Sequence, residues 1–300
     1  MSDIEHIAIE RLKIASEMSL HAYGQPLVIC ISGGKDSSVI TELSIRAGIP
    51  VEFMHNHTTA DAPETVYFVR QEFKRLEELG YKCTLNMPTY KGKQVSMWSL
   101  IPQKLMPPTR KVRYCCAVLK EGGGAGRFIA TGVRWAESVS RSSGRGIYEK
   151  NGDKNHRILL MDDNDDRRRL FENCRLKSKR TVNPIIDWED DQLWGFLEDV
   201  KRPLNPLYRE GFCRIGCPGC PKADRKAREE EFARWPAYKN LYMIAFRNMI
   251  AFRNMIAFRN MEGKPTSWTK PEEVFNYWME YDILPGQIDL FEESEELWND

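Results

Sequence analysis

The segment that most constrains this chain is the hexapeptide Ser32-Gly33-Gly34-Lys35-Asp36-Ser37, which lies between an apolar run and a helical pattern. Residues 26–31 have the continuous hydrophobicity of a buried parallel strand, and residues 38–45 predict a helix. The two glycines permit a tight turn and close backbone approach, and a helix N-terminus offers unpaired N–H groups. We therefore predict an anion-binding loop. It is not of the Walker type, because the GxxxxGK[ST] spacing is absent.

Composition narrows the class of protein. The chain has 300 residues, 42% hydrophobic and 29% charged, with a net charge of +1, which is typical of a globular protein with a substantial core. We find neither a leader-like N-terminus nor an apolar run as long as a membrane span, and we expect a cytoplasmic protein without membrane contact. In that setting the eight cysteines indicate metal or redox chemistry rather than disulfides.

The periodicity predicts alternating strands and helices. Strands are expected at 26–31, 50–55, 81–85 and 127–131, with helices at 4–20, from 63 to 79, and again after a cap at Asp187. This alternation indicates an α/β fold, a doubly wound parallel sheet, followed by a helical C-terminal extension. Ligands of such sheets bind beyond the carboxyl ends of the strands. The segments 32–37, 56–64 and 132–137 are all expected there.

Residues 243–260 contain the hexapeptide Met-Ile-Ala-Phe-Arg-Asn three times in tandem. Each copy advances a helix by about 240°, so equivalent residues of successive copies point in different directions. The repeat therefore predicts a lengthened helix with no chemistry of its own. We also expect it to leave apolar surface exposed, which would permit self-association.

Five cysteines form a second pattern: the adjacent Cys115 and Cys116, then Cys213, Cys217 and Cys220. Two thiol pairs far apart in sequence are typical of a four-sulfur metal site. Spacing alone permits zinc or an iron–sulfur cluster, and it also permits reduced structural thiols. Which four of the five cysteines would bind a metal stays open, with Cys213 as a substitute for one of the others.

Several segments together resemble the APS/PAPS reductases of the adenine nucleotide alpha-hydrolase superfamily, which also includes N-type ATP pyrophosphatases and tRNA thiolation enzymes. The hexapeptide at 32–37 resembles the pyrophosphate loop of that superfamily. The segments that resemble the reductases are 59–65, 111–121, 131–138, 183–188, 205–208 and 211–221. The resemblance runs from about residue 26 to 221. We accordingly expect a PAPS-reductase-like nucleotide-binding domain at 1–221, a surface insertion at 141–180, and a helical region at 222–300.

The resemblance implies an adenine nucleotide, either ATP with Mg²⁺ or APS/PAPS, and a [4Fe–4S] cluster with zinc as the alternative. The implied metal ligands are Cys115, Cys116, Cys217 and Cys220. The implied nucleotide-binding residues are Ser32, Gly33, Gly34, Lys35, Asp36, Ser37, Thr59, Asp61, Glu64, Arg134 and Glu137. Among these, the catalytic candidates are Lys35 and Arg134, as cations that neutralise the phosphate or sulfate, and Asp36, as a helix cap or magnesium ligand.

The chain departs from the reductases in one respect. Those enzymes use a cysteine near their C-terminus to attack the sulfate, and this chain has no cysteine after Cys220. The best substitute is Cys174, because the cations around it would lower its pKa; an ordinary surface cysteine is the alternative. The surrounding basic segment predicts either a solvated loop or a lid that contacts a polyanion. Its cations are Arg167, Arg168, Arg169, Arg175, Lys177, Lys179 and Arg180.

Three functions follow as hypotheses. The first is ATP-dependent sulfur transfer that releases AMP and pyrophosphate, with a sulfur donor and a nucleic acid among the expected partners. The second is reductive release of sulfite from APS or PAPS with a thioredoxin-like reductant. The third is a non-catalytic module that binds a nucleotide or nucleic acid and keeps a structural metal site. The sequence identifies neither the sulfur acceptor nor the oligomeric state.

Overall fold

The computed structural model describes residues 2–138, 143–151, 157–160, 180–260 and 267–281. The chain divides into two compact units. The first comprises Met1–His57, Pro63–Met87 and Glu121–Ile215, and the second comprises Thr58–Ala62, Pro88–Lys120 and Gly216–Asp300. The predicted domain boundary at residue 221 stays a prediction. The second unit also includes two segments from earlier in the chain, Thr58–Ala62 and Pro88–Lys120.

The first unit is built on a seven-stranded sheet with the order β3-β2-β1-β6-β9-β7-β8. The strands of this sheet are β1 (Leu27–Cys30), β2 (Val51–Asn56), β3 (Lys82–Asn86), β6 (Phe128–Ala130), β7 (Tyr148–Asn151), β8 (Arg157–Leu160) and β9 (Arg180–Val182). Strands β3, β2, β1, β6 and β9 pair in parallel, and β7 and β8 add an antiparallel edge. The predicted α/β fold class is confirmed, and the four predicted strands are β1, β2, β3 and β6.

The helices agree with the periodicity of the sequence. They are α1 (Asp3–Tyr23), α2 (Lys35–Ala47), α3 (Pro63–Glu78), α4 (Met97–Lys104), α5 (Asp190–Val200), α6 (Arg225–Arg234), α7 (Pro236–Asn260) and α8 (Pro271–Trp278). In α1, Ala8, Leu12 and Ala15 are fully buried, because their spacing places them on one helix face. Gly24 ends this helix in the left-handed conformation, with φ 63°, which glycine adopts without steric cost.

Chain topology places two loops at the same edge of the sheet. Strand β1 pairs in parallel with β2 on one side and with β6 on the other, so the chain changes direction across the sheet at this point. The carboxyl ends of parallel strands share an edge, and ligands of such sheets bind at the switch point. The loop after β1 is the hexapeptide at 32–37, and the loop after β6 carries residues 131–138.

Two sequence expectations in the first unit require correction. Strand β7 lies inside the predicted surface insertion at 141–180, yet Tyr148 and Glu149 are buried and the strand pairs with β9. Helix α5 begins after Glu189 rather than after the predicted cap Asp187. The Asp187 carboxylate instead accepts two hydrogen bonds from Arg11, at 2.8 and 2.9 Å. The charged composition of 141–180 therefore did not indicate strand β7. The expected capping residue, Asp187, binds the distant Arg11 instead of capping α5.

The second unit is mainly helical, with α4, α6, α7 and α8 and a hairpin formed by β4 (Thr89–Tyr90) and β5 (Lys93–Gln94). Its core is aromatic. The ring of Trp278 lies 4.4 Å from that of Tyr242 and 5.5 Å from that of Phe246, centroid to centroid. Helix α7 packs against both α4 and α8, so it forms the centre of this unit. The predicted helical C-terminal region is confirmed. Within the described part of the chain, we find no helix with the length and apolarity needed to cross a bilayer.

The tandem repeat lies within α7, and its copies occupy different environments. Phe246 of the first copy is fully buried, whereas Phe252 of the second copy is 38% exposed. The isoleucines change in the opposite direction, because Ile244 is 49% exposed and Ile250 is 8% exposed. The prediction that equivalent residues face different directions is confirmed. The expected exposure of apolar surface by the repeat is confirmed as well, since Ile244, Phe252 and Met255 are exposed. Self-association stays a prediction.

This arrangement predicts unequal effects of one substitution at equivalent repeat positions. Phe246→Ala should lower the free energy of unfolding by about 3–5 kcal/mol, because it opens a cavity among packed rings. Phe252→Ala, the matched control from the next copy, should lower it by less than about 1 kcal/mol. Urea titrations of both variants measure the difference. Equal losses would contradict the burial described for α7.

Candidate functional site

The loop at 32–37 forms a closed turn at the start of α2. Gly33 has φ +79°, and a Cβ there would lie 2.8 Å from the Cγ2 atom of Thr65, so this position requires glycine. The hydroxyl of Ser37 donates to the Gly34 carbonyl at 2.7 Å, and the Gly34 amide lies 3.4 Å from the Ser32 hydroxyl. The predicted anion loop is thus a compact turn at a helix N-terminus, the type of site that holds phosphate groups.

A short segment from the far end of the first unit holds this loop in place. The buried Asn205 donates from its side-chain amide to the Gly33 carbonyl at 3.2 Å and to the Thr65 hydroxyl at 3.1 Å. The Tyr208 hydroxyl accepts the N–H of Lys35 at 2.8 Å. Burial raises the pKa of Tyr208 to about 12. Asn205 and Tyr208 therefore fix the backbone of the loop, a role that the sequence pattern did not assign to them.

The charged residues beside the loop form one network. Arg134 is 1% exposed, and its Nε donates to Oδ1 of Asp36 and its Nη2 to Oδ1 of Asp190, both at 2.6 Å. Its Nη1 donates to the carbonyl of Trp188 at 3.0 Å. The ammonium of Lys35 lies 3.4 Å from Asp36 and 3.8 Å from Asp190. Two cations and two carboxylates thus compensate one another.

The same contacts hold these groups in their charged forms. Burial lowers the pKa of Arg134, but the hydrogen bonds to Asp36 and Asp190 outweigh it, and the pKa is raised overall. The hydrogen bond from Arg134 lowers the pKa of Asp190. Asp190 lies in the first turn of α5, where a carboxylate also interacts favourably with the helix dipole. Asp190 is a site residue that the sequence analysis missed, although it lies only three residues after the predicted cap Asp187.

The loop after β6 approaches α2 closely. A Cβ on Gly132 would lie 2.8 Å from the backbone carbonyl of Asp36, so any larger residue would push the loop away from the helix. The Arg134 amide donates to the Glu137 carboxylate at 3.2 Å, which places Glu137 in the same loop. Glu64 lies in the first turn of α3. Asp36, Glu64, Arg134 and Glu137 therefore all belong to the first unit.

Thr59 and Asp61, two further predicted nucleotide ligands, belong to the second unit. Thr59 has φ 62°, and its hydroxyl accepts the amide of Met97 at 2.8 Å. The carboxylate of Asp61 accepts the amide of Thr58 at 3.0 Å, and its carbonyl accepts the Tyr238 hydroxyl at 2.5 Å. These contacts order the turn before α3, and nucleotide binding by Thr59 and Asp61 stays a prediction.

The four predicted metal ligands all belong to the second unit. Cys116 begins a π-helical turn that follows Cys115, and Cys217 and Cys220 flank a turn closed by a 3.0 Å backbone hydrogen bond. Gly219 has φ +72°, and a Cβ there would lie 2.4 Å from the ring of Phe232, so the turn needs glycine.

The four sulfur atoms influence one another. A hydrogen bond with Cys116, burial, and the charges of Cys116, Cys220 and Cys217 all raise the pKa of Cys115. Burial raises the pKa of Cys217 to about 11, and Lys120 opposes this. The charge of Cys217 in turn raises the pKa of Lys120. The charges of Cys220 and Cys116 act on Lys120 in the same direction. A cation therefore interacts with three of the four thiols, which fits a metal site with several thiolate ligands.

The sequence analysis singled out two further cysteines, Cys213 and Cys174. Cys213 is exposed, belongs to the first unit, and lies 3.8 Å from the carbonyl of Gly211. Its role as a substitute ligand stays a prediction. Cys174 and the basic residues at 167–179 lie outside the described residues. Arg180 is described, and it is 1% exposed in β9.

Comparison with known families identifies one domain. The family model of the phosphoadenosine phosphosulfate reductase domain matches residues 26–223. This range begins just before β1 and ends just after the Cys217–Cys220 turn. It therefore contains the anion loop, the charged network and the four cysteines.

The sequence relatives include proteins of two kinds. Two uncharacterized proteins of Methanocaldococcus jannaschii are 23% identical over 72% of this chain and 27% identical over 64% of it. This chain covers 41% and 40% of them, about two fifths of their length. An adenosine 5'-phosphosulfate reductase of Allochromatium vinosum is 33% identical over 54 residues, which is 18% of this chain and 21% of that protein.

Solved structures resemble the chain at low identity. The phosphoadenylyl-sulfate reductase of Candida auris, in a phosphate complex, is 17% identical with a TM-score of 0.43, covering 72% of this chain and 96% of that chain. A U34-tRNA thiolase of Methanococcus maripaludis with its [4Fe–4S] cluster is 14% identical with a TM-score of 0.40, covering 87% and 86%.

Because the loop after β6 approaches α2 closely, we predict that alanine at Gly132 lowers the stability of the protein, whereas alanine at the unobstructed Gly195 raises it. Gly132→Ala should lower the free energy of unfolding by about 1–3 kcal/mol, because its methyl group would overlap the Asp36 backbone. Gly195→Ala, inside α5 with no atom within 4 Å of the added Cβ, should raise it by about 0.5–1 kcal/mol. Urea unfolding measures both. A Gly132→Ala variant as stable as the wild type would contradict the packing described here.

Proposed function

We propose that this chain, which belongs to the phosphoadenosine phosphosulfate reductase domain family, uses ATP for sulfur transfer and releases AMP and pyrophosphate. The family match covers residues 26–223, so it supports sulfur chemistry on an adenine nucleotide. The choice of ATP over a sulfonucleotide rests on the charged network beside the loop.

That network is the observation that carries the proposal. The guanidinium of Arg134 is bound to Asp36, Asp190 and the Trp188 carbonyl, so its planar fork is occupied by protein groups. The charges of Lys35, Arg134, Asp36 and Asp190 sum to zero. A neutral site with two carboxylates is a poor receptor for a bare sulfate, but carboxylate oxygens are ligands that Mg²⁺ prefers. Mg²⁺ binds polyphosphates, so the network favours ATP.

The proposed reaction has two steps, and both balance. An acceptor oxygen attacks the α-phosphorus of ATP, the bond to the β-phosphate breaks, and pyrophosphate leaves. A sulfide sulfur then attacks the activated acceptor carbon, and AMP leaves with the oxygen. The ammonium of Lys35 would stabilise the negative charge of the departing pyrophosphate, as would backbone amides of the first turn of α2 other than that of Lys35, which donates to Tyr208.

The cysteine set supports a [4Fe–4S] cluster as the resident cofactor. Cys115, Cys116, Cys217 and Cys220 would hold it, since soft thiolate ligands select iron–sulfur clusters or zinc. A bound cluster would supply redox chemistry and a thiophilic iron. Lys120 beside Cys217 compensates the negative charge that four thiolates bring, whichever of the two metals is present.

The second candidate is sulfite release from APS or PAPS, which the similarity to adenosine 5'-phosphosulfate reductases over 54 residues favours. It requires an attacking thiol, for which Cys174 is the proposed candidate, and a thioredoxin-like reductant. Unchanged sulfite release by a Cys174→Ser variant would exclude that thiol.

Nucleotide preference tests the proposed function. Anaerobically purified protein should bind ATP with Mg²⁺ more tightly than APS or PAPS, and EDTA should weaken ATP binding, because the carboxylates hold the metal. Lys35→Met should reduce AMP and pyrophosphate formation by about 10²-fold, while the surface variant Lys13→Met should not change it. Calorimetry and pyrophosphate detection measure these effects. Tighter binding of APS, with sulfite released in the presence of thioredoxin, would support the reductase instead.

Metal content tests the cysteine assignment. Wild-type protein should contain about four iron and four labile sulfide per chain, and Cys217→Ser should lose most of both, because a thiolate ligand is removed. Cys213→Ser and Cys83→Ser are matched controls and should retain the cluster. Elemental analysis and visible absorption provide the measurements. Zinc in place of iron, or cluster loss in Cys213→Ser, would refute the assignment.

A further inference from the structure

A buried arginine in the second unit has donors that no described residue accepts. Arg228 of α6 is 1% exposed. Its Nη1 donates to the carbonyl of Trp278 at 2.8 Å, and its guanidinium carbon lies 4.1 Å from the centroid of the Trp278 ring. Its Nε and Nη2 have no hydrogen-bond partner among the described residues. A buried cation in this state is costly unless an anion or further acceptors compensate it.

The helix face that carries Arg228 also meets the turn between Cys217 and Cys220. Glu231 lies three residues after Arg228 and so shares its face, and its carboxylate accepts the amide of Gly219 at 2.6 Å. The next residue, Phe232, lies against Gly219 itself. Arg228 is thus about one helical turn from a direct contact with the cysteine-bearing turn.

Aromatic packing connects the same two places from the other side. The Tyr242 ring lies 4.4 Å from the Trp278 ring on which Arg228 rests, and its hydroxyl donates to the Pro218 carbonyl at 3.3 Å. Burial lowers the pKa of Arg228, and the charges of Tyr242, Glu280, Cys220 and Glu231 oppose this. Cys220 therefore lies within electrostatic reach of the guanidinium.

We propose that Arg228 is a positioning residue of the cysteine-bound cluster, directing its unmatched N–H groups and its positive charge at the sulfur ligands. This inference rests on the proposed [4Fe–4S] site. Charge and hydrogen bonds near the sulfurs set the reduction potential of such clusters. One-electron reduction adds negative charge to the cluster, and a buried cation nearby stabilises the reduced form. Arg228 therefore raises the reduction potential.

The experiment compares midpoint potentials of anaerobically purified variants by redox titration. Arg228→Met should make the midpoint potential more negative by about 59 mV. This corresponds to about a tenfold change in the equilibrium constant of a one-electron reduction. Arg228→Lys keeps the charge and should stay near the wild type. Arg225→Met is the control, because Arg225 is exposed on the same helix and lies 3.6 Å from Glu229. If Arg228→Met does not retain a cluster, the neutral variant Arg228→Gln replaces it.

The possible outcomes distinguish a failure of the role of Arg228 from a failure of the proposed [4Fe–4S] site. Wild-type protein that holds zinc instead of iron would refute the cluster itself, and the role of Arg228 would fail with it. An intact cluster whose potential is unchanged in the neutral Arg228 variant, with a lowered melting temperature, would show that Arg228 serves to join α6 to α8. A negative shift in the neutral variant alone, with Arg228→Lys and Arg225→Met unchanged, supports the proposal.

Discussion

The buried guanidinium of Arg134 is the interaction on which the first unit depends. It connects three elements, since Arg134 lies in the loop after β6, Asp36 in the first turn of α2, and Asp190 in the first turn of α5. Carboxylates are favoured at helix N-termini, and these two, with Lys35, form a neutral network around a cation that water cannot reach. The same ion network that joins these elements at the switch point therefore determines the charge available to a ligand there.

Local patterns in the sequence were sufficient for the fold class and for the loop that follows β1. The apolar run before Ser32 and the paired glycines predict β1 and its loop, because both properties are local. Long-range partners were not predictable in the same way. Asp190 lies 56 residues from Arg134, and Asn205 lies 172 residues from Gly33. Nothing in the spacing of the sequence indicates that these side chains meet.

Competition between partners explains the sequence prediction that was wrong at α5. Asp187 has the residue type and position of a cap, but Arg11 binds both of its carboxylate oxygens, and the helix begins after Glu189 instead. A charge-assisted bidentate pair is stronger than a single capping hydrogen bond. The cysteines illustrate the opposite case, because soft ligands in two pairs restrict the chemistry of a site even before the fold is known.

The burial pattern of α7 has a consequence for the number of repeat copies. The three copies are identical, so deletion of any one of them gives the same amino-acid sequence. The packing of the shortened helix then determines which positions of α7 are buried and which are exposed. The buried residues Phe246, Met249 and Ile250 belong to the first two copies, as does Arg253, which donates to the Leu105 carbonyl. Two copies therefore supply these buried contacts of the helix. Each further copy extends α7 by about 9 Å and turns the chain that follows by about 240°.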